Sequence, residues 1–345
     1  MAQGQINLDA WMDEIRRSVD ELLRRFFASK IREAEELSPL AAELVTEVRD
    51  LTMRGGKRLR PIVTAAGFRA VRGPGEVDAT FEVGGALELL QSYLLIHDDW
   101  MDEDDERRGG PAVHYAFQSR HGHAHLGASL GILAGDLAST FSWELFWSAA
   151  FPEGRRDDAL RAFVRIQKEV FAGQQLDLMA NDDVERMHDL KTGSYTTRGP
   201  AELGGIIANG DAAAMKSLRD WSGPLGVAFQ LRDDLLSTFG SAQETGKPGD
   251  DLRHGKNNAV MAAFRTLEPS KTAQAAVAAV WGRPDSSDAE VEAATNALSG
   301  AREAVERRLE VLVDDARSAI AASAFDEEAK AMLEDVTRRL TDRGS

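Results

Sequence analysis

Asp98, Asp99 and Asp102 close a helical run that starts apolar, QSYLLIHDDWMD at residues 91–102. Asp98 and Asp102 stand one helical turn apart and Gln91 lies seven residues before Asp98, so the three project from nearly one face. Carboxylates at that spacing repel one another and raise each other's pKa. A hard divalent cation such as Mg²⁺, which prefers oxygen ligands, would offset the repulsion. Adjacent aspartates alone carry little weight, because the chain has seven such pairs, starting at 98, 104, 157, 182, 233, 250 and 314. Only the pair at 98 has another acid four residues after its first member.

A second polar stripe lies in VAFQLRDDLLSTF, residues 227–239, where Gln230, Asp233, Asp234 and Ser237 fall at i, i+3, i+4 and i+7 among apolar residues. Two helices carrying acids at matching heights could hold metal ions between them, with water and phosphate oxygens completing the coordination. A diphosphate suits such a cage. The cations to receive it are Lys57, Arg60, Arg107, Arg108, Lys191, Lys247 and Lys256. Lys57-Arg58-Leu59-Arg60-Pro61 follows Gly55-Gly56, so pliant backbone and positive charge occur together.

The elements that must position these groups all have a helical period. Apolar positions between charged ones predict an amphipathic helix over 8–34, serving core packing or a dimer contact. Ser38-Pro39 predicts a cap and a helix to about Met53. Helices follow at 60–72 and 77–102, the second delivering the acids to a loop at 103–112. A very apolar helix is expected at 126–150, then helices at 155–183, 188–209 and 212–240, with a kink or break at Gly223-Pro224. Residues 241–256 are polar and rich in glycine and proline, which predicts a loop. Helices resume near 257–266, 271–281, 288–318 and 326–341. No alternating strand pattern persists and no linker divides the chain, so the expectation is an all-α fold of one large domain, residues 1–345.

Composition bounds the function. At 345 residues, with 43% hydrophobic residues, the chain can bury a sizeable core. A net charge of −16 argues against non-specific binding to nucleic acid or to an anionic membrane surface, both of which need a basic patch. The absence of cysteine removes disulfides, thiolate nucleophiles and Cys-based metal sites, and fits a cytoplasmic location. No signal-peptide core opens the sequence and no 18-residue apolar span occurs, so no membrane insertion is expected. His121, His123 and His125 read as a surface cluster, since zinc would need a further protein ligand. Trp143 and Trp147 read as core or interface aromatics.

Six segments occur in an order that resembles the polyprenyl synthetase family of trans-prenyl diphosphate synthases. They are GGKRLRP at 55–61, LIHDDWMDEDDERRGGPAVH at 95–114, GQQLD at 173–177, KTGSY at 191–195, FQLRDD at 229–234 and TGKP at 245–248. The motif-bearing core spans about 50–260. The resemblance implies a bundle of helices around a central catalytic cavity, usually a homodimer. It further implies that Asp98, Asp102 and Asp233 hold three Mg²⁺ ions on an allylic diphosphate, with Asp99 and Asp234 assisting and Arg107, Lys191 and Lys247 binding the same group. Isopentenyl diphosphate would sit on Gly56, Lys57, Arg60, Gln91 and Arg108, with Lys256 also on the substrate side, and Thr192 and Gln230 would line the developing carbocation. Two departures stand out: Ser237 occupies a position where the family often has a third aspartate, and the segment after Pro248 is one residue shorter than usual.

The implied reaction is condensation of isopentenyl diphosphate with a dimethylallyl, geranyl or farnesyl diphosphate, releasing diphosphate. Tyr93 precedes Asp98 by five residues, a rotation of about 500° and a rise of about 7.5 Å, which places it deeper and turned from the metal face. The resemblance adds that an aromatic ring here commonly stops the growing chain. The expected product is geranylgeranyl diphosphate, with farnesyl diphosphate as the alternative. A class I terpene cyclase would leave GGKRLRP and Arg107-Arg108 without a purpose. A non-catalytic subunit would be expected to have lost the metal ligands, yet all five aspartates are present.

Overall fold

The structure, a computed structural model, describes residues 7–240 and 249–342. Among these residues all regular structure is helical except for one two-stranded ribbon. The chain folds as two compact units, one of residues up to 159 with 200–210, the other of 160–199 and 211 onward.

In the first unit α1 (Leu8–Leu37) buries Trp11, Ile15, Val19, Leu23 and Phe27, a stripe repeating every fourth residue. Each large side chain of that stripe contributes roughly 1.5–3 kcal/mol on burial, so the helix is docked mainly by hydrocarbon. α2 (Pro39–Met53) starts at Ser38, whose side chain accepts from the Ala41 N–H, with Pro39 at the first helical position. α3 (Leu59–Arg72) and α4 (Phe81–Met101) follow. α4 buries nearly every residue from Val83 to Leu90 and only its last two turns become polar. Its principal packing partner is α6 (Ala124–Ser148), reached through the short α5 (Val113–His121). The segment 103–112 holds more order than the expected loop. Glu106–Arg107 pairs with Gly110–Pro111, and the two linking residues, Arg108 and Gly109, both have positive φ (54° and 71°), as a two-residue hairpin turn requires.

The second unit contains most of α7 (Arg156–Leu178), then α8 (Val184–His188). The helix expected over 188–209 is a π-helix at Asp189–Arg198 followed by α9 (Gly199–Ile207), which belongs to the first unit from Pro200 on. Pro200 has no N–H to offer the preceding turn, and the Gly199 N–H reaches back five residues to the Ser194 carbonyl. The Ser194 hydroxyl satisfies the Leu190 carbonyl at 2.6 Å, so the widened turn leaves that acceptor paired.

α10 (Ala212–Phe239) passes through Pro224 without the break that was one of the two expectations there. Around the missing donor, the Ser222 hydroxyl donates to the Leu218 carbonyl (2.6 Å) and Thr197 donates to the Ser222 carbonyl (2.9 Å). α11 (Asp250–His254) occupies part of the stretch expected to be a loop. The remaining helices are α12 (Ala259–Thr266), α13 (Lys271–Ala278), α14 (Asp288–Ala297), α15 (Ser299–Ala322) and α16 (Glu327–Thr341). The single helix expected over 288–318 is therefore two, meeting at Leu298, which is fully buried. No helix among the described residues is long and apolar enough to cross a membrane.

Candidate active site

The acidic end of α4 forms the first half of the site. Asp98 and Asp102 are half-buried, while Asp99, 100° round the helix from Asp98, is fully buried. Helix carbonyls point toward this end, so the carboxylates sit where the helix dipole already favours a cation. Arg107, carried back by the hairpin, donates from Nε to Asp99 Oδ1 at 2.6 Å and from Nη2 to Asp104 at 3.0 Å. Asp99 Oδ2 makes no hydrogen bond. Burial pushes the Asp99 carboxyl up to about 6 despite Arg107 beside it. Burial pulls Arg107 the other way, but Asp99, Asp104 and Asp98 hold it above the usual arginine value.

Beside this end lies a cluster of cations. Gly55 and Gly56 have φ of 90° and 128°, and Arg58 follows in the left-handed region, φ 49°. Lys57 is exposed and Arg60 buried. Arg108 donates to the Gly55 carbonyl (3.2 Å), which ties the hairpin to this turn. Arg54 reinforces the tie by donating to the carbonyls of Arg107 (3.1 Å) and Pro111 (2.8 Å). It can do so because Gly110 has no Cβ, which would otherwise meet the guanidinium at 2.7 Å. Burial lowers Arg108; Glu88 opposes that shift, while the positive charges of Arg60, Arg58 and Arg107 add to it. Cations gathered against their own repulsion favour an anionic ligand. Gln91 is half-buried on α4, three residues after Glu88.

Tyr93 is half-buried, and its ring meets His97 edge-on with centroids 4.9 Å apart. Burial, then the Asp136 charge on α6, raises its phenol. His97 in turn lies 3.2 Å from the Ile132 carbonyl of α6.

The second unit holds the other stripe. Asp233 is exposed and Asp234 buried on α10. Asp234 accepts from the Ala259 N–H (2.8 Å) and the Gln230 amide (3.2 Å), with His188 Nε2 at 3.4 Å. Burial pushes Asp234 up to about 7, and burial likewise pushes His188 down to about 4. Burial thus disfavours the charged form of both members. Lys191 and Thr192 are half-buried on the π-helix, and the Lys191 ammonium pairs with Asp177 of the GQQLD segment. Gly173 permits that approach, since a Cβ there would meet the Lys191 nitrogen at 2.2 Å. Ser237, where a third aspartate was noted as missing, donates to Asp251 Oδ2 at 2.7 Å, and Asn258 donates to the same oxygen at 2.8 Å. A carboxylate thus lies against Ser237 from another helix. Lys256 is exposed and its N–H donates to the Asp251 carbonyl. Lys247 lies outside the described residues.

Sequence reasoning did not assign Arg54, Arg58, Glu88, Asp177, His188 or Asp251. Glu88 had a signal, as one acid inside the apolar run GGALELL, and Arg58 lies within the cationic run itself. Asp251 had none beyond belonging to an ordinary Asp-Asp pair. His123 caps α6 by accepting from the Leu126 N–H, and His121 lies 3.2 Å from Glu43.

Among the described residues no three His, Cys, Asp or Glu side chains form a ready-made metal cluster. The α4 end offers oxygen donors only, spaced along a helix edge. That donor set fits Mg²⁺, which takes one or two carboxylates and fills its octahedron with water and substrate phosphates.

A sequence profile of the polyprenyl synthetase family matches residues 42–298. The short chain isoprenyl diphosphate synthase of Methanocaldococcus jannaschii is 28% identical over 264 residues, covering 74% of this chain and 76% of that one. The farnesyl diphosphate synthase of Geobacillus stearothermophilus is 29% identical over 282 residues, covering 78% and 88%. Among solved structures, geranylgeranyl pyrophosphate synthase of Corynebacterium glutamicum, complexed with isoprenyl diphosphate and magnesium, superposes with a TM-score of 0.88 at 31% identity over 96% of this chain and 99% of that one. Six motifs in order, an all-α fold and a cationic turn beside an acidic helix end agree with these matches: the chain belongs to the polyprenyl synthetase family and is a prenyltransferase, a trans-prenyl diphosphate synthase.

Proposed function

We propose that both units act as one catalytic domain condensing isopentenyl diphosphate with an allylic diphosphate to give a short-chain trans-prenyl diphosphate, geranylgeranyl diphosphate first. The observation that carries this reading is the cluster of Lys57, Arg58, Arg60, Arg107 and Arg108 beside the acids of α4, in a chain of net charge −16. A cyclase has one diphosphate to bind and no use for a second cationic wall.

In this reading Asp98, Asp102 and Asp233 hold three Mg²⁺ ions. Asp99 assists by holding Arg107, and Asp234 by orienting Gln230. Bound Mg²⁺ supplies charge neutralisation for the departing diphosphate. Arg107, Lys191 and Lys247 bind that same group, and its positive surroundings lower the barrier to ionisation. Gly56, Lys57, Arg60, Gln91 and Arg108 hold isopentenyl diphosphate with its double bond toward the allylic carbon, and Lys256 adds charge on the substrate side. Thr192 and Gln230 present oxygen dipoles to the carbocation. The double bond of isopentenyl diphosphate attacks the allylic carbon as its bond to diphosphate breaks, and the proton then lost leaves with diphosphate, so neither a side-chain nucleophile nor a side-chain base is required.

Tyr93, at the α4–α6 contact, limits chain length. The farnesyl alternative is supported by the Geobacillus stearothermophilus relative, as similar to this chain as the isoprenyl synthase of Methanocaldococcus jannaschii. A cytoplasmic homodimer accounts for the exposed apolar residues of α6, Leu126, Ile132, Leu133 and Trp147. The test is to incubate purified protein with isopentenyl diphosphate, each allylic primer and Mg²⁺, then measure the chain length of the product. The expected result is a linear geranylgeranyl product. A cyclised hydrocarbon, or no product from any primer, would contradict the reading.

A further inference from the structure

α1 precedes the stretch that matches the family, residues 42–298, yet it grips the 55–60 turn at two points. Arg16 Nε donates to the Lys57 carbonyl at 3.1 Å, and Arg16 is itself braced by Asp13 at 2.8 Å. One helical turn on, Asp20 accepts from Arg58 Nε at 2.8 Å. The rest of the Arg58 guanidinium is also committed, Nη1 to Glu88 (2.8 Å) and Nη2 to the Thr52 carbonyl (2.9 Å). Arg58 is 3% exposed and its guanidinium contacts are all with protein, so it is a strut within the cationic run.

That strut holds a strained backbone. A non-glycine residue in the left-handed region costs about 1–2 kcal/mol, and Arg58, with φ 49° and ψ 44°, sits there between the glycine pair and the first residue of α3. Such a conformation persists only where the surroundings over-determine it. Here they do so through side chains of α1 and α4 and the last turn of α2. Glu88 engages only Nη1 of the guanidinium, so Asp20 on Nε and the Thr52 carbonyl on Nη2 fix its remaining directions.

We propose that Asp20 and Arg16 of α1 are positioning residues for diphosphate binding by Lys57 and Arg60, holding the left-handed turn at Arg58 that sets where those two cations stand. This rests on the reading of that turn as the isopentenyl diphosphate subsite. Docking of α1 does not need the polar contacts, because its stripe from Trp11 to Phe27 is already buried. Asp20 keeps 29% and Arg16 33% of its side chain exposed, so removing either polar contact opens no core cavity. Their loss therefore falls on the geometry of the turn.

The experiment is steady-state kinetics, varying each substrate separately, on Asp20→Asn, Asp20→Glu and Arg16→Gln beside Lys57→Ala. Asp20→Asn is expected to raise the KM for isopentenyl diphosphate about ten-fold, with kcat and the allylic KM within about two-fold. Asp20→Glu keeps the charge and recovers part of the loss. Arg16→Gln, on an exposed face, gives a smaller rise in the same constant and still tests the idea should Asp20→Asn fold poorly. Added to Lys57→Ala, Asp20→Asn raises that KM by much less than it does alone, because both act through one turn. A lowered Tm with an unchanged isopentenyl diphosphate KM in both Asp20→Asn and Arg16→Gln would overturn the proposal while Lys57→Ala leaves the subsite reading standing. Lys57→Ala without effect on that KM would overturn both.

Discussion

α4 and α10 each present an adjacent aspartate pair whose second member turns inward, and they compensate the buried carboxyl differently. Asp99 faces an arginine brought by the hairpin, whereas Asp234 faces the Ala259 N–H, the Gln230 amide and the ring of His188. Both carboxyls are raised by burial, Asp99 to about 6 and Asp234 to about 7. The lesson is that one dipeptide can serve two ends. At α4 it pairs with an arginine of the hairpin, and at α10 it accepts from a backbone N–H and from Gln230.

The outer aspartates are the point at which the two regions should behave alike, and there the largest effect is expected. Asp98→Ala and Asp233→Ala each remove a carboxylate proposed to hold metal without opening a core cavity, so kcat should fall by about 100-fold or more with Tm nearly unchanged. Turnover near normal in both variants at saturating Mg²⁺ would break the assignment.

The inner aspartates should separate the regions. Asp99→Asn leaves the Arg107 charge without its main partner, a loss of roughly 2 kcal/mol once the usual cost of breaking a buried pair is discounted for Arg107's exposure. Asp234→Asn keeps the shape and one acceptor oxygen for the Ala259 N–H, and the Gln230 amide can turn to accept from the new amide, so the change should cost only about 1 kcal/mol. Urea denaturation without metal measures both, and the opposite ranking would show that Asp234 carries the more important charge.

The effect of pH follows from the same difference. The folded values of about 6 and about 7 lie above the unfolded carboxyl value of 3.8, so the stability these groups give is complete below 3.8 and is lost as pH rises through 6 and 7. His188 acts in the opposite sense, its contribution present above 6.5 and lost as pH falls toward 4. In the proposed site Mg²⁺ on Asp98, Asp102 and Asp233 lies beside these two carboxyls and favours their ionised forms, so the rise in Tm that it produces should grow by several degrees from pH 5 to pH 8. A metal effect independent of pH would place Mg²⁺ away from these carboxyls.

The smallest change in rate is expected at Tyr93, a feature of α4 with no counterpart assigned on α10. Tyr93→Ala should leave kcat within a few-fold and lengthen the product, because each buried CH₂ gains about 0.8 kcal/mol once the wall is removed. Chromatography of dephosphorylated products decides it, and an unchanged distribution would reduce Tyr93 to packing against His97.

Much of this was legible in the residues themselves. Helical period placed α1, α2, α4 and α10 within a few residues, and charge at helical spacing singled out Asp98, Asp102 and Asp233. The partners were not legible, because they arrive from segments distant in sequence. Nothing local says that Arg107 returns to Asp99, since the ribbon depends on a turn built from Arg108 and Gly109 rather than the usual Asn-Gly. The π-helix at Asp189–Arg198 was hidden because its cause, a proline after Arg198-Gly199, reads equally as a helix break. The carboxylate beside Ser237 comes from Asp251, fourteen residues on, and only folding shows it.

In the proposed reaction, acids of both units serve one ionisation step. Single-turnover release of diphosphate from the allylic substrate, in Asp98→Ala, Asp233→Ala and the double variant, tests it most directly. Groups that act together in one step are strongly non-additive, so the double variant should be about as slow as the slower single one. A double variant slowed by the full product of the two single effects would contradict the claim and assign the two acidic ends to separate steps.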